Sequence, residues 1–236
     1  MDRSAIAVHR TIHESHAVLG THRHREPYVA LVLSGSYVEI GPDGAWTCQA
    51  GDLVLHPPFH LHGDRMNARG ARVLNFVLPL ASPRALAIST YTVVRPWRPE
   101  WVEQSAQRDP LSALAEAIAE GEVSASAAPQ DWCSRIALAL INRTPLAVGS
   151  LARNEGISAE HASRAFRARY GVGPATFRAE QRLRDVMRLL VETRDSLSDV
   201  ASRAGYADQS HMSRAVKVVT GFSPRQLRRV LKTQSP

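Results

Sequence analysis

The N-terminal part of the chain alternates short apolar runs with turn-forming segments, a pattern that predicts β-strands. Four runs rich in Val and Leu cover residues 28–33, 36–40, 52–56 and 71–78. The segments between them contain Ser-Gly, Gly-Pro-Asp-Gly and a stretch rich in Pro and His, all typical of turns. Short strands at this spacing predict an antiparallel barrel or sandwich.

After Pro99 the apolar positions follow helical spacing. Asp109 is placed to cap a helix that has Pro110 at its first position, and a small-residue linker follows. A second apolar helix is predicted over 132–141. Both helices carry apolar stripes, which serve either as core or as the seam of a homodimer.

The C-terminal region is predicted to be helical throughout, and it contains an internal repeat. The segment SRAFR at 163–167 matches SRAVK at 213–217, and YGVGP at 170–174 matches TGFSP at 220–224. Matches at one constant offset predict a single supersecondary unit that is used twice.

Each repeat reads as a short helix, a glycine, a polar cap and a second helix. Gly156 is suited to the left-handed turn and Ser158 to the cap, with Gly205 and Asp208 in the second repeat. A long helix over 177–193 joins the repeats. The layout is typical of a helix-turn-helix, whose second helix enters the major groove of DNA. Two such units at fixed separation predict contacts about one turn, ~34 Å, apart on one face of the duplex.

The inner faces of the first unit follow from the apolar spacing. Leu146, Leu151 and Ala152 are predicted to lie inside on the first helix, and Ala162, Ala165 and Phe166 on the second.

The polar side of each second helix carries the residues that we expect to contact DNA. They are Glu160, Ser163, Arg164, Arg167, Gln209, Ser210, His211, Arg214 and Lys217. Arg164 and Arg214 occupy equivalent positions, which fits base reading, phosphate contact or a shared intramolecular ion pair. Gln209 and His211 lie near the start of their helix, where side chains meet base edges.

The stretch at 205–229 closely resembles the signature of the AraC/XylS family of regulators, and the resemblance covers 145–229. Met212 and Val216 stand where that family usually has Phe, and Ala162 stands where a larger aliphatic residue is common. The resemblance implies a sequence-specific transcriptional regulator that binds double-stranded promoter DNA. RNA polymerase is a further expected partner if the regulator is an activator.

The distribution of charge agrees with a polyanionic partner for one half only. Residues 144–236 hold 16 Lys and Arg against 8 Asp and Glu, whereas residues 1–143 hold 13 against 14. A solvated arginine-rich surface is the alternative interpretation.

Eight of the ten histidines fall in the first 62 residues. Part of this region resembles the two motifs of a small cupin barrel, through His22, His24, Gly35, Gly51, Pro57 and His62. Tyr28 stands where that family has a metal-binding Glu. Histidines that precede the first motif are expected to be surface residues.

Three imidazoles, His22, His24 and His62, are predicted to share one site, because alternate residues of a strand lie on one face. Neutral imidazole suits Zn or Fe, so a divalent metal is one candidate occupant. His60 is a candidate fourth ligand, and Tyr28 joins the candidate effector site. Because the family acid is absent, a small organic effector or plain core packing stays open.

The sequence thus predicts an α+β protein of two domains. A cupin-like antiparallel β-barrel over 1–98 senses a small molecule or metal, a helical connector covers 99–143, and an AraC-type DNA-binding domain with two helix-turn-helix units covers 144–236. No membrane partner is expected, because no apolar run reaches the length of a membrane span. The cysteines Cys48 and Cys133 form no framework, which fits a reducing cytoplasm.

Two other functional classes compete with regulation. A metal-dependent cupin enzyme such as a dioxygenase would need the acid that position 28 lacks, so we expect no enzyme. A constitutive DNA-binding protein would use its barrel only for dimerisation.

Overall fold

The computed structural model describes residues 6–80, 88, 90–124 and 131–232. The chain divides into two compact units. The first comprises Met1–Glu39, Trp46–Ser126 and Lys232–Pro236, and the second comprises Ile40–Ala45 and Ala127–Leu231. The domain boundaries expected from the sequence stay a prediction. None of the helices within the described ranges is long and apolar enough to cross a membrane.

The first unit is built on an antiparallel sheet, as the sequence predicts. Its strands are β1 (Ala7–His13), β2 (Val18–Arg23), β3 (Tyr28–Gly41), β4 (Gly44–Gln49), β5 (Leu53–His56), β6 (Leu61–Val77), β7 (Thr92–Arg95) and β8 (Glu122–Val123). The strand order is β1-β6-β3-β5-β7-β8, with β2 paired to β6 and β4 paired to β3. Closure of this sheet into a cupin-like barrel stays a prediction.

The two strands predicted over 28–33 and 36–40 form one strand of 14 residues, β3. Gly35 makes this continuity sterically acceptable, because its φ is +76° and a Cβ there would lie 2.0 Å from the carbonyl oxygen of Gly70. The Ser-Gly pair therefore serves close approach of β3 to the neighbouring backbone, and the expected turn is absent at this point of the described chain.

Strand β3 is buried on both faces, because its alternate residues enter two apolar clusters. Val29 and Leu31 pack in one cluster together with helices α1 (Pro99–Ser105) and α2 (Pro110–Glu120). Ala30 and Val32 pack in the other cluster. The predicted cap of α2 is confirmed, since the Asp109 side chain accepts a hydrogen bond from the Ser112 amide at 3.1 Å.

The second unit is helical. Its helices are α3 (Trp132–Ile141), α4 (Val148–Asn154), α5 (Ala159–Tyr170), α6 (Pro174–Glu192), α7 (Leu197–Arg203), α8 (Gln209–Thr220) and α9 (Pro224–Lys232). Helix α4 pairs with α5, and α7 pairs with α8. The long helix predicted between the repeats is α6, which begins three residues earlier than expected because Pro174 is favourable at a first helical position.

Local signals in both repeats act as predicted. Gly156 and Gly205 adopt left-handed backbone with φ of 72° and 77°. Ser158 accepts a hydrogen bond from the His161 amide, and Asp208 accepts one from the His211 amide. These caps set where α5 and α8 begin.

One inner-face prediction is wrong. Leu146 was expected in the first helix of the first unit, but it precedes α4 and is 43% exposed. Ala147 adopts extended backbone with ψ of 148°, so helical geometry begins only at Val148. Leu151 and Ala152 are buried as expected.

Helix α6 joins the apolar faces of both repeats. Phe177 is fully buried, and its ring centroid lies 5.6 Å from that of Phe166 and 5.0 Å from that of Tyr170 on α5. Farther along α6, the Arg182 guanidinium lies 5.9 Å from the centroid of the Tyr206 ring, beside the second repeat.

Candidate nucleic-acid interface and histidine pocket

Helices α5 and α8 present the same face in the same way. Over residues 161–170 and 211–220, the order of buried, half-buried and exposed positions is identical. The buried positions are Ala162, Phe166 and Tyr170 in α5 and Met212, Val216 and Thr220 in α8. Because the inner faces match at the fifty-residue offset, the outer faces match as well.

The residues expected at DNA lie on these outer faces. Exposed among them are Glu160, Arg164, Arg167, Gln209, Ser210, His211, Arg214 and Lys217. Ser163 is half-buried, and its hydroxyl accepts a hydrogen bond from the Arg167 guanidinium at 2.8 Å. The ring of His211 also makes an edge contact with Tyr206, with centroids 5.2 Å apart.

The arginines of the second unit differ in how they are partnered. Several form ion pairs inside the unit, as Arg135 does with Glu155 and Arg169 does with Asp131. Among the described residues, neither Arg164 nor Arg214 has a carboxylate within ion-pair distance. The structure therefore gives no support to the intramolecular pair that their equivalent positions left open.

The first unit contains a cavity of about 320 Å³ between β1, β2, β3 and β6. Its lining residues are His9, Thr11, His13, Leu19, His22, His24, Glu26, Tyr28, Ala30, Tyr37, Glu39, His62, Asp64, Met66, Val73, Asn75 and Val77. His9 is exposed, as expected, and His13 is half-buried, and both line this cavity because β1 pairs along β6. Volume and lining suit a small ligand.

The three imidazoles predicted to share a site come together at this cavity. The candidate ligand atoms of His22, His24 and His62 all lie within 4.8 Å of one another, and we call these three residues the outer group. The Nε2 atoms of His22 and His24 are 3.0 Å apart, and His22 Nδ1 lies 2.8 Å from the Gly20 carbonyl oxygen. A backbone contact of this kind fixes ring orientation in metal-binding histidines. The Tyr28 hydroxyl lies 3.0 Å from His62 Nε2.

A second cluster shares His62 with the outer group, and its members Glu39 and His62 line the cavity. The candidate ligand atoms of Glu39, His56, His60 and His62 also lie within 4.8 Å of one another, and we call these four buried residues the inner group. His60 was expected as a fourth ligand beside the outer group, but it is grouped with Glu39 and His56. His60 lies before β6 begins and, unlike His62, is not one of the residues that line the cavity.

Glu39, His56 and Asp64 were missed by the sequence analysis. Glu39 interrupts an apolar strand, and a lone acid in such a run is a usable signal for a buried site. His56 lies directly opposite Tyr28 in the pairing of β3 with β5, which only the strand register reveals. Asp64 lies near the start of β6, two residues beyond His62.

Burial governs the protonation of these groups. Loss of solvation, followed by the charge of His22, lowers the pKa of His24 to about 4. Loss of solvation also lowers the pKa of His62, and together with the charge of Glu39 it raises the pKa of the Asp64 carboxyl. His24 and His62 are therefore neutral at pH 7, the form in which imidazole binds metals.

Comparison with known proteins identifies the C-terminal part. Residues 151–230 match the family described as "Helix-turn-helix domain". The arabinose operon regulatory protein of Escherichia coli (strain K12) is 32% identical over 81 residues, which cover 34% of this chain and 28% of that protein. The HTH-type transcriptional regulator GlxA of Rhizobium meliloti (strain 1021) is 35% identical over 85 residues, which cover 36% of this chain and 26% of that protein. The chain thus spans less than a third of these relatives.

Solved structures give weaker likeness. One is the DNA-binding domain of AdpA, a global transcriptional factor, in complex with a target DNA. The match is 27% identical, covers 42% of this chain and 91% of the AdpA chain, and has a TM-score of 0.40. ToxT of Vibrio cholerae is 9% identical, covers 96% of this chain and 98% of that chain, and gives a TM-score of 0.44. These scores add no argument to the sequence matches. On those matches, residues 151–230 form a helix-turn-helix domain that is similar to segments of these two transcriptional regulators.

Proposed function

We propose that this protein binds promoter DNA through α5 and α8 and that a ligand in the histidine-lined cavity controls this binding. The observation that carries the proposal is the identical burial pattern of the two helices, which leaves two equivalent polar faces exposed. Each face follows a shorter helix and a left-handed glycine, so the pairs α4–α5 and α7–α8 act as two helix-turn-helix units.

Base recognition is assigned to the beginning and middle of the second helices. Gln209, Ser210 and His211 occupy the first turn of α8, where a recognition helix meets base edges. Arg214 is exposed one turn later, and a guanidinium suits the acceptor pair of guanine in the major groove. Lys217 is suited to phosphate.

Helix α5 is assigned the matching contacts in the neighbouring groove segment. Ser163, Arg164 and Arg167 take the places of Ser213, Arg214 and Lys217, and Glu160 lies in the first turn. Since Arg164 and Arg214 have no carboxylate partner among the described residues, contact with DNA is a better account of their exposure than structural pairing.

Control by a ligand is assigned to the outer group and its surroundings. The ligand is either a small organic molecule that contacts Tyr28 or a divalent Zn or Fe ion held by His22, His24 and His62. Such a ligand regulates transcription only if it has different affinity for the DNA-competent and DNA-incompetent states. The proposal places the protein in the cytoplasm as a regulator without catalytic activity, with a homodimer and contact with RNA polymerase as further expectations.

The test of base contact replaces single side chains on α8. Arg214→Ala and Gln209→Ala should each weaken binding to a duplex selected from a random-sequence library by roughly 5- to 150-fold, because a good base contact contributes about 1–3 kcal/mol. Affinity is measured by fluorescence anisotropy with the full chain. Arg194→Ala is the matched control, since Arg194 is exposed between α6 and α7.

Both α8 variants should keep the far-ultraviolet spectrum of the wild type, because neither side chain is buried. Unchanged affinity in both variants would contradict the assignment of α8 as a recognition helix.

A further inference from the structure

The inner group combines one carboxylate and three imidazoles in the interior of the first unit. Glu39, His56, His60 and His62 are at most 4% exposed. Their candidate ligand atoms lie within 4.8 Å of one another, and the Glu39 Oε2 to His56 Nε2 distance is 2.9 Å. A tetrahedral ion with bonds of 2.0–2.1 Å needs ligand atoms about 3.3 Å apart, so small side-chain rotations produce that geometry.

Buried polar groups in and beside this cluster carry a free-energy cost. A carboxylate removed from water needs a compensating charge or a full set of hydrogen bonds. Here Asp64 adds a second carboxyl group to the interior, and its Oδ1 atom has no hydrogen-bond partner among the described residues. His62 Nδ1 is likewise buried without such a partner. Coordination through Nδ1 would supply the partner that the buried His62 imidazole lacks.

Aromatic neighbours hold the imidazoles in place. The His56 ring stacks on Tyr28 with centroids 3.9 Å apart, and the His60 ring stacks on Tyr91 with centroids 4.9 Å apart. The Tyr28 hydroxyl also contacts His62 Nε2. Neighbours that fix ring orientation are typical of metal centres, because they reduce the entropy lost on binding.

We propose that Glu39, His56, His60 and His62 bind one divalent transition-metal ion of the Zn²⁺ or Fe²⁺ class. Three nitrogen ligands and one oxygen suit these ions, whereas Ca²⁺ and Mg²⁺ require mostly oxygen. Glu39 and His62 also line the cavity, which gives the ion an entry path. The ion lies deeper than one held by the outer group. Any effect of this ion on transcription rests on the proposed function, but metal binding itself does not.

The test titrates the metal-free full chain with Co²⁺, whose visible absorption reports four-coordinate sites. We expect one Co²⁺ per chain, displaced by Zn²⁺. Glu39→Gln and His56→Gln should each weaken Co²⁺ binding by at least about 100-fold, because loss of outer-shell partners alone costs up to that much. Glu14→Gln and His16→Asn are matched controls on exposed residues and should bind as the wild type does.

Three results would overturn the inference. They are no Co²⁺ uptake by the folded wild type, full uptake by Glu39→Gln, or loss of uptake in His24→Gln with uptake retained in Glu39→Gln. If both ligand variants fail to fold, anomalous scattering from Co²⁺-loaded wild-type crystals decides, with the peak expected among the inner group and a peak elsewhere overturning it. DNA binding of the same preparations is measured separately. If the wild-type protein binds DNA but takes up no Co²⁺, this inference is wrong and the proposed function is unaffected.

Discussion

Raising the salt concentration from 50 to 200 mM is expected to weaken DNA binding by roughly 100-fold or more. Four of the residues expected to contact DNA on α5 and α8 are exposed cations, namely Arg164, Arg167, Arg214 and Lys217. If each replaces one condensed counterion, the slope of log affinity against log salt is about −3.6, and every further phosphate contact steepens it. The slope is measured by anisotropy titration over this range with the selected duplex.

The double variant Arg167→Ala/Lys217→Ala should reduce the magnitude of that slope by about 2, since two counterions fewer are released. Arg194→Ala should leave it unchanged. A flat salt response of the wild-type chain would mean that the basic half does not bind the phosphate backbone, in conflict with the proposed function.

Phe177→Ala is expected to lower the free energy of unfolding of the helical unit by about 3–5 kcal/mol. The ring is fully buried between α6 and α5, where it contacts both Phe166 and Tyr170. Its removal leaves a cavity where α5 packs against α6. Urea denaturation followed by circular dichroism measures the change. Because α5 is then less firmly held, DNA affinity should fall as well.

Phe177→Leu is the matched control, because it keeps most of the apolar volume and should cost less than about 1.5 kcal/mol. If Phe177→Ala lowers the free energy of unfolding by less than about 1 kcal/mol, the position of α5 does not depend on this contact. Such a result would contradict the role of α6 in holding the repeats.

The helical half was largely predictable because its signals are local. Asp109, Ser158 and Asp208 each accept a hydrogen bond from an amide three residues later, so a short window of sequence contains both partners. Gly156 and Gly205 likewise act on the turn in which they stand. Leu146 is the residue for which this local prediction fails. The extended backbone of Ala147 makes α4 begin at Val148, so Leu146 lies outside the helix.

The histidine pocket was predictable only in part because its residues meet across the sheet. His22 and His24 are neighbours in sequence, and motif resemblance supplied His62. Glu39 and His56 lie on separate strands. They come close together because of the register between β3 and β5 and because β3 continues beyond Gly35 as one strand. No periodic pattern carries that information, since pairing over such separations is set by the whole sheet.

The most direct test maps the contacts of the full chain on a duplex selected from random sequences, by footprinting of major-groove base positions. The account predicts two contacted segments on one face of the duplex with centres about 10 base pairs apart. Arg164→Ala should remove protection from one segment and Arg214→Ala from the other. A single contacted segment, or loss of the same segment in both variants, would contradict the claim that α5 and α8 bind successive major-groove segments.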